Sequence, residues 1–306
     1  MNKDLLRMDN LSKDEILDIL NLADQLKYER KHGIEHPILK GKSLGMIFEK
    51  ASTRTRVSFE VGMYQLGGHP LFLSSKDLQI GRGEAIQDTA RVLSRYLDGI
   101  MIRTFSQEEV ETLAECSSIP IINGLTDEEH PCQVLADLMT IRENKLILEG
   151  LKVAYIGDGN NMCNSLIIGC LTLRMHISIA NPLGYKPPKY YIEKGKALAI
   201  KNSVSFEMTE DPKVAIKDAD VIITDVWASM GQESETKKRQ IAFKGYQVNS
   251  EIMKLANDDA IVLHCLPAHR GEEITVEIIE AHANVIFEEA ENRLHAQKAI
   301  LVKLLS

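Results

Sequence analysis

Short apolar segments alternate with helical segments along most of the 306-residue chain. In the first half, the apolar segments 43–48, 70–73 and 99–102 are separated by segments whose apolar residues recur at helical spacing. A second series of the same kind begins at 151–156. Strands joined through helices run parallel in one sheet and need helices on both faces. The alternation therefore predicts an α/β fold of doubly wound, Rossmann-like parallel sheets.

The length and the break between the two series predict two domains. We expect a first domain at residues 1–145, completed by a C-terminal helix at about 289–306, and a second domain at 146–288. Helices join the two domains in this interpretation. A short strand is expected at 285–287, just before the last helix.

Composition excludes several classes of protein. The net charge of −8 argues against general nucleic-acid binding, and no run of 18 apolar residues predicts a membrane span. The amino terminus lacks the apolar core of a signal peptide, which favours a cytoplasmic location. Five cysteines, an odd number without a CxxC pair, indicate reduced thiols rather than disulfides or zinc ligands. We expect no metal.

The segment Ser52-Thr53-Arg54-Thr55-Arg56 lies where a strand gives way to a helix. The first N–H groups of a helix lack acceptors and carry the positive end of its dipole, so hydroxyls and guanidiniums placed there form an anion site. Arg103, at the carboxyl end of another strand, can serve the same anion. From these residues alone, a helix-capping hydroxyl beside solvated arginines remains an alternative.

Other polar residues at strand or helix ends are open to two interpretations. His130 precedes Pro131, the first residue of a helix, and is either a capping group or a catalyst. The Gly157-Asp158-Gly159 turn suggests dinucleotide binding, but Met162 replaces the third glycine and no acidic residue ends the next strand. We therefore reject a nicotinamide site, although Asn160 and Asn161 can bind a small polar ligand.

The second half of the chain contains two more candidate site residues and one cationic segment without a predicted binding role. Asp225 follows the strand 221–224 and either pairs with a substrate ammonium or caps the next segment. Cys265 follows the strand 260–263, where a lone cysteine usually only packs. The cationic triplet Lys237-Lys238-Arg239 is expected on a solvated helix face.

Four motifs together resemble the transcarbamylases, and among them the ornithine carbamoyltransferases. They are Ser52-Thr53-Arg54-Thr55-Arg56, His130-Pro131-Cys132-Gln133, the segment from Asp225 to Gly231, and His264-Cys265-Leu266-Pro267. Aspartate transcarbamylases share the first motif, usually have Thr where Cys132 stands, and lack the last two. The resemblance covers essentially the whole chain.

This resemblance implies transfer of the carbamoyl group of carbamoyl phosphate to the side-chain amine of L-ornithine, giving L-citrulline and phosphate. The amine attacks directly, without a cofactor. The enzyme would belong to arginine metabolism, in either the biosynthetic or the catabolic direction.

The resemblance also assigns roles to residues. Catalytic roles fall on Arg103, His130, Asp225 and Cys265. Carbamoyl phosphate would be bound by Ser52, Thr53, Arg54, Thr55, Gln79, Arg103, His130, Gln133, Cys265, Leu266 and Arg293. Ornithine would be bound by Asn161, Asp225, Ser229 and Met230.

Taken by itself, the polar loop 74–84 is either a mobile surface loop or a segment with a role as a lid or between subunits. By resemblance, Gln79 in this loop reaches the site of a neighbouring subunit, which implies a homotrimer with shared active sites. The two domains would close over the substrates and exclude water.

Two alternatives remain open. The first is a transcarbamylase for another amine, such as putrescine or an acylated ornithine, against which the Ser229-Met230-Gly231 segment argues because it suits the α-groups of an amino acid. The second is a non-catalytic nucleotide-binding protein built on the Gly157 turn.

Overall fold

The computed structural model describes residues 3–76, 78–79 and 83–306, with only the backbone of Glu233. These residues form two compact units. The first comprises the chain up to Met139 together with Glu291–Ser306, and the second comprises Thr140–Ala290. Among the described residues, no helix combines the length and apolar character that crossing a membrane requires.

The first unit is built on one four-stranded parallel sheet in the order β2-β1-β3-β4. Its elements in chain order are α1 (Lys13–Lys31), β1 (Ser43–Phe48), α2 (Thr53–Gln65), β2 (His69–Ser74), α3 (Ile86–Leu93), β3 (Gly99–Arg103), α4 (Gln107–Cys116), β4 (Ile121–Leu125) and the start of α5 (Pro131–Lys145). The fully buried strands β3 and β4 carry no alternation of polar residues, as expected for a sheet covered on both faces.

The chain leaves β1 toward β2 on one side of the sheet, whereas β3 lies on its other side. Such a change of direction opens a crevice at the carboxyl ends of the two central strands. In this unit the crevice lies between the ends of β1 and β3. Residues that follow Phe48 and Arg103 therefore come together at one edge of the sheet.

The second unit contains a five-stranded parallel sheet in the order β7-β6-β5-β8-β9. Its elements in chain order are the end of α5, β5 (Lys152–Ile156), α6 (Asn161–Thr172), β6 (His176–Ala180), α7 (Lys189–Asn202), β7 (Phe206–Thr209), α8 (Pro212–Ile216), β8 (Val221–Thr224), α9 (Thr236–Ala242), α10 (Ser250–Met253), β9 (Ile261–His264), α11 (Val276–Ala281) and the start of α12 (Ala283–Leu305). Here the crevice lies between β5 and β8. The two sheets confirm the predicted doubly wound α/β fold.

The structure overturns one predicted element. Residues 285–287 form part of α12, not a strand. Of these three residues only Ile286 is buried, and the next buried position is Glu289, which is a helical interval. A three-residue apolar run is too short for its period to separate strand from helix.

Two residues of types that are common in turns belong here to a strand. Asn123 and Gly124 lie in β4, which runs to Leu125. Gly124 fits there because a Cβ at this position would lie 2.5 Å from the sulfur of Met101. Close approach of neighbouring atoms, rather than a turn, explains this glycine.

Candidate active site

The anion-binding turn predicted from sequence forms the start of α2. Ser52 is the N-cap residue: its Oγ accepts from the Thr55 N–H at 3.2 Å and donates to Thr55 Oγ1 at 3.1 Å. Thr55 is buried, Ser52 and Arg54 are partly buried, and Thr53 is exposed. The cap and the helix dipole thus act at the same place as the Arg54 guanidinium.

Arg103 ends β3 beside this turn and is buried. Its carbonyl accepts from the Glu49 N–H at 2.9 Å, which ties the residue after β1 to the end of β3. Thr104 reinforces the same junction, because its hydroxyl hydrogen-bonds both Glu49 and Glu109. The crevice between β1 and β3 is therefore fixed by backbone and side-chain bonds.

His130 is buried in a strongly cationic environment. Burial, followed by the charges of Arg293, Arg103 and Arg54, holds the pKa of His130 well below its usual value. The imidazole is therefore neutral near pH 7. Three guanidinium groups that act on one buried imidazole create a local positive potential suited to an anion with two negative charges.

Arg293, from α12, completes this cluster. Its Nη1 donates to Gln133 Oε1 at 2.6 Å and its Nη2 donates to Thr55 Oγ1 at 3.1 Å. Gln133 in turn donates to Asp137 at 2.9 Å. The structure thus brings together the first helix turn, the start of α5 and the C-terminal helix, as the predicted binding roles of these residues require.

Sequence reasoning missed Gln297, one turn beyond Arg293. With its amide oxygen toward Arg293, this buried residue accepts from Nη2 at 3.0 Å and from Nε at 3.1 Å, and its nitrogen donates to Ser58 at 2.6 Å. The (i, i+4) spacing on α12 is the only signal that could have pointed to it.

Gln79 lies apart from this cluster in the contacts of the described residues. It is exposed between β2 and α3, and its carbonyl accepts from the Glu84 N–H at 3.1 Å. Asp77 and residues 80–82 of the same predicted loop lie outside the described residues. The role of Gln79 in a neighbouring subunit stays a prediction.

Asp225 occupies the corresponding crevice of the second unit, between β5 and β8. Asn160, from the loop after β5, donates to Asp225 Oδ2 at 2.8 Å. The Cys265 thiol, from the loop after β9, donates to Oδ1 at 3.1 Å, and the Val226 N–H donates to the same oxygen at 2.8 Å. Three strand ends therefore converge on one buried carboxylate.

The loop after β5 holds Asn160 in place. Asn160 Oδ1 accepts from the N–H groups of Met162 and Cys163 as the N-cap of α6, and from the Tyr155 hydroxyl at 3.1 Å. Burial, together with the nearby Asp225 charge, raises the pKa of Tyr155 well above its usual value, so its hydroxyl keeps the proton that it donates. Gly159 is required here, because a Cβ would lie 2.3 Å from the backbone nitrogen of Pro187.

The predicted ornithine ligands Asn161, Ser229 and Met230 lie beside these groups in sequence. Asn161 is partly buried as the first residue of α6. The Ser229 N–H donates to Gln232 Oε1 at 3.1 Å, and its carbonyl accepts from the Gln232 N–H at 3.0 Å, so the segment is folded back on itself. Met230 is 48% exposed, which leaves this residue accessible to a ligand.

Arg239 corrects the expectation of a solvated cationic face on α9. Lys237 and Lys238 are exposed, but Arg239 is buried. Its Nη1 donates to Asp158 Oδ2 at 2.6 Å and to the Trp227 carbonyl at 2.8 Å. Arg239 therefore links the loop after β5 to the loop after β8, which carry the predicted ornithine ligands.

Two groups of described residues have the ligand types of a metal site, with ligand atoms within 4.8 Å of one another. They are Asp225 with His264 and Cys265, and His269 with Glu272 and Glu273. In the first group both imidazole nitrogens of His264 already contact protein groups, namely the Leu266 N–H and Glu273. Neither group by itself establishes a metal site.

Comparison with known proteins gives a consistent result. Residues 3–143 match the family described as aspartate/ornithine carbamoyltransferase, carbamoyl-P binding domain, and residues 149–304 match its Asp/Orn binding domain. The chain is 57% identical over 304 residues to the ornithine carbamoyltransferase of Oceanobacillus iheyensis, covering 99% of this chain and 94% of the relative. It is 55% identical over 305 residues to that of Methanosarcina acetivorans, covering all of both chains.

The solved structures agree. Ornithine carbamoyltransferase from Pyrococcus furiosus superimposes with a TM-score of 0.95 at 51% identity, covering 99% of this chain and 96% of that one. Sequence and fold therefore agree over essentially the full length. The chain belongs to the aspartate/ornithine carbamoyltransferase family and, within it, to the ornithine carbamoyltransferases.

Proposed function

We propose that this chain transfers the carbamoyl group of carbamoyl phosphate to the side-chain amine of L-ornithine, giving L-citrulline and phosphate. The observation that carries the proposal is the contrast between the two crevices. One gathers three arginines around a neutral histidine, and the other presents a buried carboxylate. An anionic substrate suits the first crevice and an amine suits the second.

In the first unit, the Ser52–Thr55 turn, Arg54 and Arg103 bind the phosphate group. Helix N–H groups and arginine forks match phosphate oxygens in geometry and charge. The chain up to about residue 145, with the end of α12, thus forms the carbamoyl-phosphate-binding domain. The match of residues 3–143 to the carbamoyl-P binding domain supports this assignment.

Thr55, Arg103 and His130 donate to the carbonyl oxygen of the carbamoyl group, where negative charge grows as the amine attacks. Each such donor contributes about 3 kcal/mol to transition-state stabilisation. The low pKa of His130 suits this role, because a neutral imidazole donates one hydrogen bond without transferring its proton. Gln133, Arg293 and the carbonyls of Cys265 and Leu266 orient the carbamoyl amide.

In the second unit, Asn161, Ser229 and Met230 hold the α-amino and carboxylate groups of ornithine, and Asp225 binds its side-chain amine. That amine must lose a proton before attack, because an ammonium has no lone pair, and Asp225 positions it for this step. The amine nitrogen then forms a bond to the carbamoyl carbon, the bond from that carbon to the phosphate oxygen breaks, and the nitrogen gives its second proton to the departing phosphate. Phosphate leaves with the electron pair, so no cofactor is needed.

A homotrimer with shared active sites accompanies this function. The outer face of α2 exposes Val57, Val61 and Tyr64, and the sheet-edge strand β2 exposes Phe72, against which the Arg56 guanidinium stacks at 3.6 Å. Apolar side chains grouped at a sheet edge favour burial against another subunit. Gln79 follows β2 directly and would reach the neighbouring site from this interface.

Five free thiols, three of them buried, favour a reducing compartment, and we place the protein in the cytoplasm. A function in arginine metabolism follows from citrulline as product or substrate.

The test is an assay of citrulline formation from carbamoyl phosphate with ornithine, run beside putrescine and an acylated ornithine. We expect turnover with ornithine and much slower reaction with the other amines. Preference for putrescine or the acylated amine would replace ornithine with that substrate. Binding of a dinucleotide without carbamoyl transfer to any amine would overturn the proposal.

A further inference from the structure

His264 lies at the end of β9 with its imidazole buried and both ring nitrogens engaged. Nδ1 lies 2.9 Å from the Leu266 backbone nitrogen, and Nε2 lies 3.0 Å from Glu273 Oε1. A backbone N–H can only donate, so Nδ1 accepts and carries no proton. The proton is on Nε2 and is donated to Glu273, which fixes the tautomer.

Two buried carboxylates, both later in the chain than the motif 264–267, accept hydrogen bonds from this histidine. Glu273 Oε1 also accepts from the His269 N–H at 2.6 Å, and Glu289 Oε2 accepts from the His264 N–H at 2.8 Å. Both glutamates are essentially inaccessible to solvent. The imidazole therefore has one orientation, set by groups that follow it in the chain.

The bond to Leu266 acts on an unusual backbone. Leu266 has a φ of +55°, a left-handed conformation that a leucine rarely adopts without outside support. Its N–H belongs to the peptide group between Cys265 and Leu266. Because that group is planar, an N–H directed at the imidazole sends the Cys265 carbonyl the opposite way.

Cys265 thus lies between two fixed residues, and its thiol is the one that donates to Asp225 Oδ1 at 3.1 Å. We infer that His264 is a positioning residue, which through the Leu266 N–H sets both the Cys265 carbonyl and the contact of the Cys265 thiol with Asp225. The link to catalysis rests on the proposed function, in which the carbonyl accepts from the carbamoyl amide and Asp225 binds the ornithine amine.

Two substitutions of His264 by amide side chains test the hydrogen bonds of its two ring nitrogens separately. In His264→Asn the side-chain oxygen lies near the position of Nδ1 and can still accept from Leu266, but the side chain no longer donates to Glu273. In His264→Gln the amide nitrogen lies near the position of Nε2 and can still donate to Glu273, but the Leu266 N–H loses its acceptor. We expect His264→Asn to lower Tm more, because it leaves a buried carboxylate with one hydrogen-bond donor fewer.

The first readout is chemical and independent of activity. Cys116 and Cys265 are the two partly exposed thiols, whereas Cys132, Cys163 and Cys170 are buried. The folded protein is labelled with a small thiol reagent, and the rate at Cys265 is measured by mass spectrometry relative to Cys116. We expect His264→Gln to change the relative rate several-fold and His264→Asn to leave it near the wild-type value.

The second readout is kinetic. His264→Gln should raise KM for ornithine about tenfold, as expected for losing one well-placed hydrogen bond, while inorganic phosphate inhibits as in the wild type. If His264 had only a structural role, the labelling rate and the kinetic constants would change in proportion to the loss of Tm, and His264→Asn would be the more impaired variant. That order would overturn the inference. If His264→Asn does not fold, Glu273→Gln serves as the conservative control, because its amide oxygen still accepts from Nε2 and should preserve the labelling rate.

The two proposals can fail separately. Wild-type protein without carbamoyl transfer would refute the proposed function, whereas the labelling comparison would still report on His264. Active wild-type protein with identical labelling in His264→Gln would refute the positioning role alone.

Discussion

Arg293 donates from α12 to Thr55 Oγ1 at 3.1 Å, although 238 residues separate the two along the chain. The same guanidinium holds Gln133, and Gln297 holds the guanidinium. One arginine therefore fixes the relative position of the first turn of α2 and the start of α5. The proposed carbamoyl-phosphate crevice depends on a helix whose sequence shows no binding motif of its own.

Arg293→Lys should lower kcat/KM for carbamoyl phosphate about 100-fold, because an ammonium cannot span Thr55 and Gln133 as the planar fork does. Lys303→Ala, on the same helix, is the control, since its 3.6 Å contact with Asp18 is an exposed ion pair. Steady-state kinetics on both variants check the prediction. Equal activity of the two variants would contradict it.

Arg54→Ala should reduce carbamoyl-phosphate turnover by about 100-fold or more while leaving Tm nearly unchanged. The side chain is partly buried and contributes charge at the anion crevice rather than core packing. Arg91→Ala removes an equally charged but exposed side chain, paired with Asp88, and should have no effect. An unchanged rate in Arg54→Ala would remove Arg54 from the anion site.

Arg239→Lys should raise KM for ornithine about tenfold and leave KM for carbamoyl phosphate unchanged. A lysine cannot replace all the bonds to Asp158 and the Trp227 carbonyl, so the loops that carry Asn161 and Ser229 lose their common anchor. Lys238→Ala, at the exposed neighbouring position, is the matched control. A selective rise in KM for carbamoyl phosphate would contradict the prediction.

We expect the buried Lys298 to make the free energy of unfolding depend on pH in the alkaline range. Its ammonium is buried against Gln65 and lies 2.6 Å from His36 Nε2. Burial, with the charge of Arg30, lowers the pKa of Lys298 to about 8. From pH 8 to about pH 10 the unfolded chain holds a proton that the folded chain lacks, so raising the pH favours folding.

Urea unfolding of wild type and Lys298→Met at pH 8 and pH 10 isolates this contribution. The free energy of unfolding of the wild type, relative to the variant, should rise by about 1–2 kcal/mol between the two pH values. The comparison cancels the other groups that titrate in this range. A difference that stays constant or falls would show that Lys298 is not perturbed.

Subunit sharing predicts complementation. Gln79→Ala and Arg54→Ala should each be weakly active, but trimers mixed randomly from equal amounts should recover about a quarter of the wild-type sites, because each active site draws on two subunits. Mass spectrometry must confirm the mixed trimers. Arg54→Ala exchanged with itself is the blank, and mixed trimers no more active than that blank would exclude sharing.

Sequence reasoning located the groups whose position follows from the order of strands and helices along the chain. Ser52–Thr55, Arg103 and Asp225 each follow a strand or open a helix, and the ends of parallel strands meet at one edge of a sheet. Within each sheet, the meeting of these strand ends could therefore be predicted without coordinates. The family resemblance added Arg293, whose place on α12 gives no such signal.

What the sequence did not reveal depends on distant partners. Arg239 was interpreted as solvated because two lysines precede it, yet Asp158, 81 residues away, draws it into the interior. His264 belongs to a motif, but its inferred positioning role depends on the carboxylates of Glu273 and Glu289. Neither helical nor strand periodicity in the sequence relates these two residues to His264. Buried ion pairs and backbone supports of this kind become visible only with the fold.

The contribution of α12 also sets the order in which the binding crevice can mature during synthesis. The ribosome adds Arg293 160 residues after Gln133 and 238 residues after Thr55. A nascent first sheet can assemble early, but its anion crevice lacks this arginine until the whole ornithine-binding unit has been made. A chain interrupted before α12 therefore lacks the guanidinium that joins Thr55 to Gln133, and with it one group of the proposed carbamoyl-phosphate site.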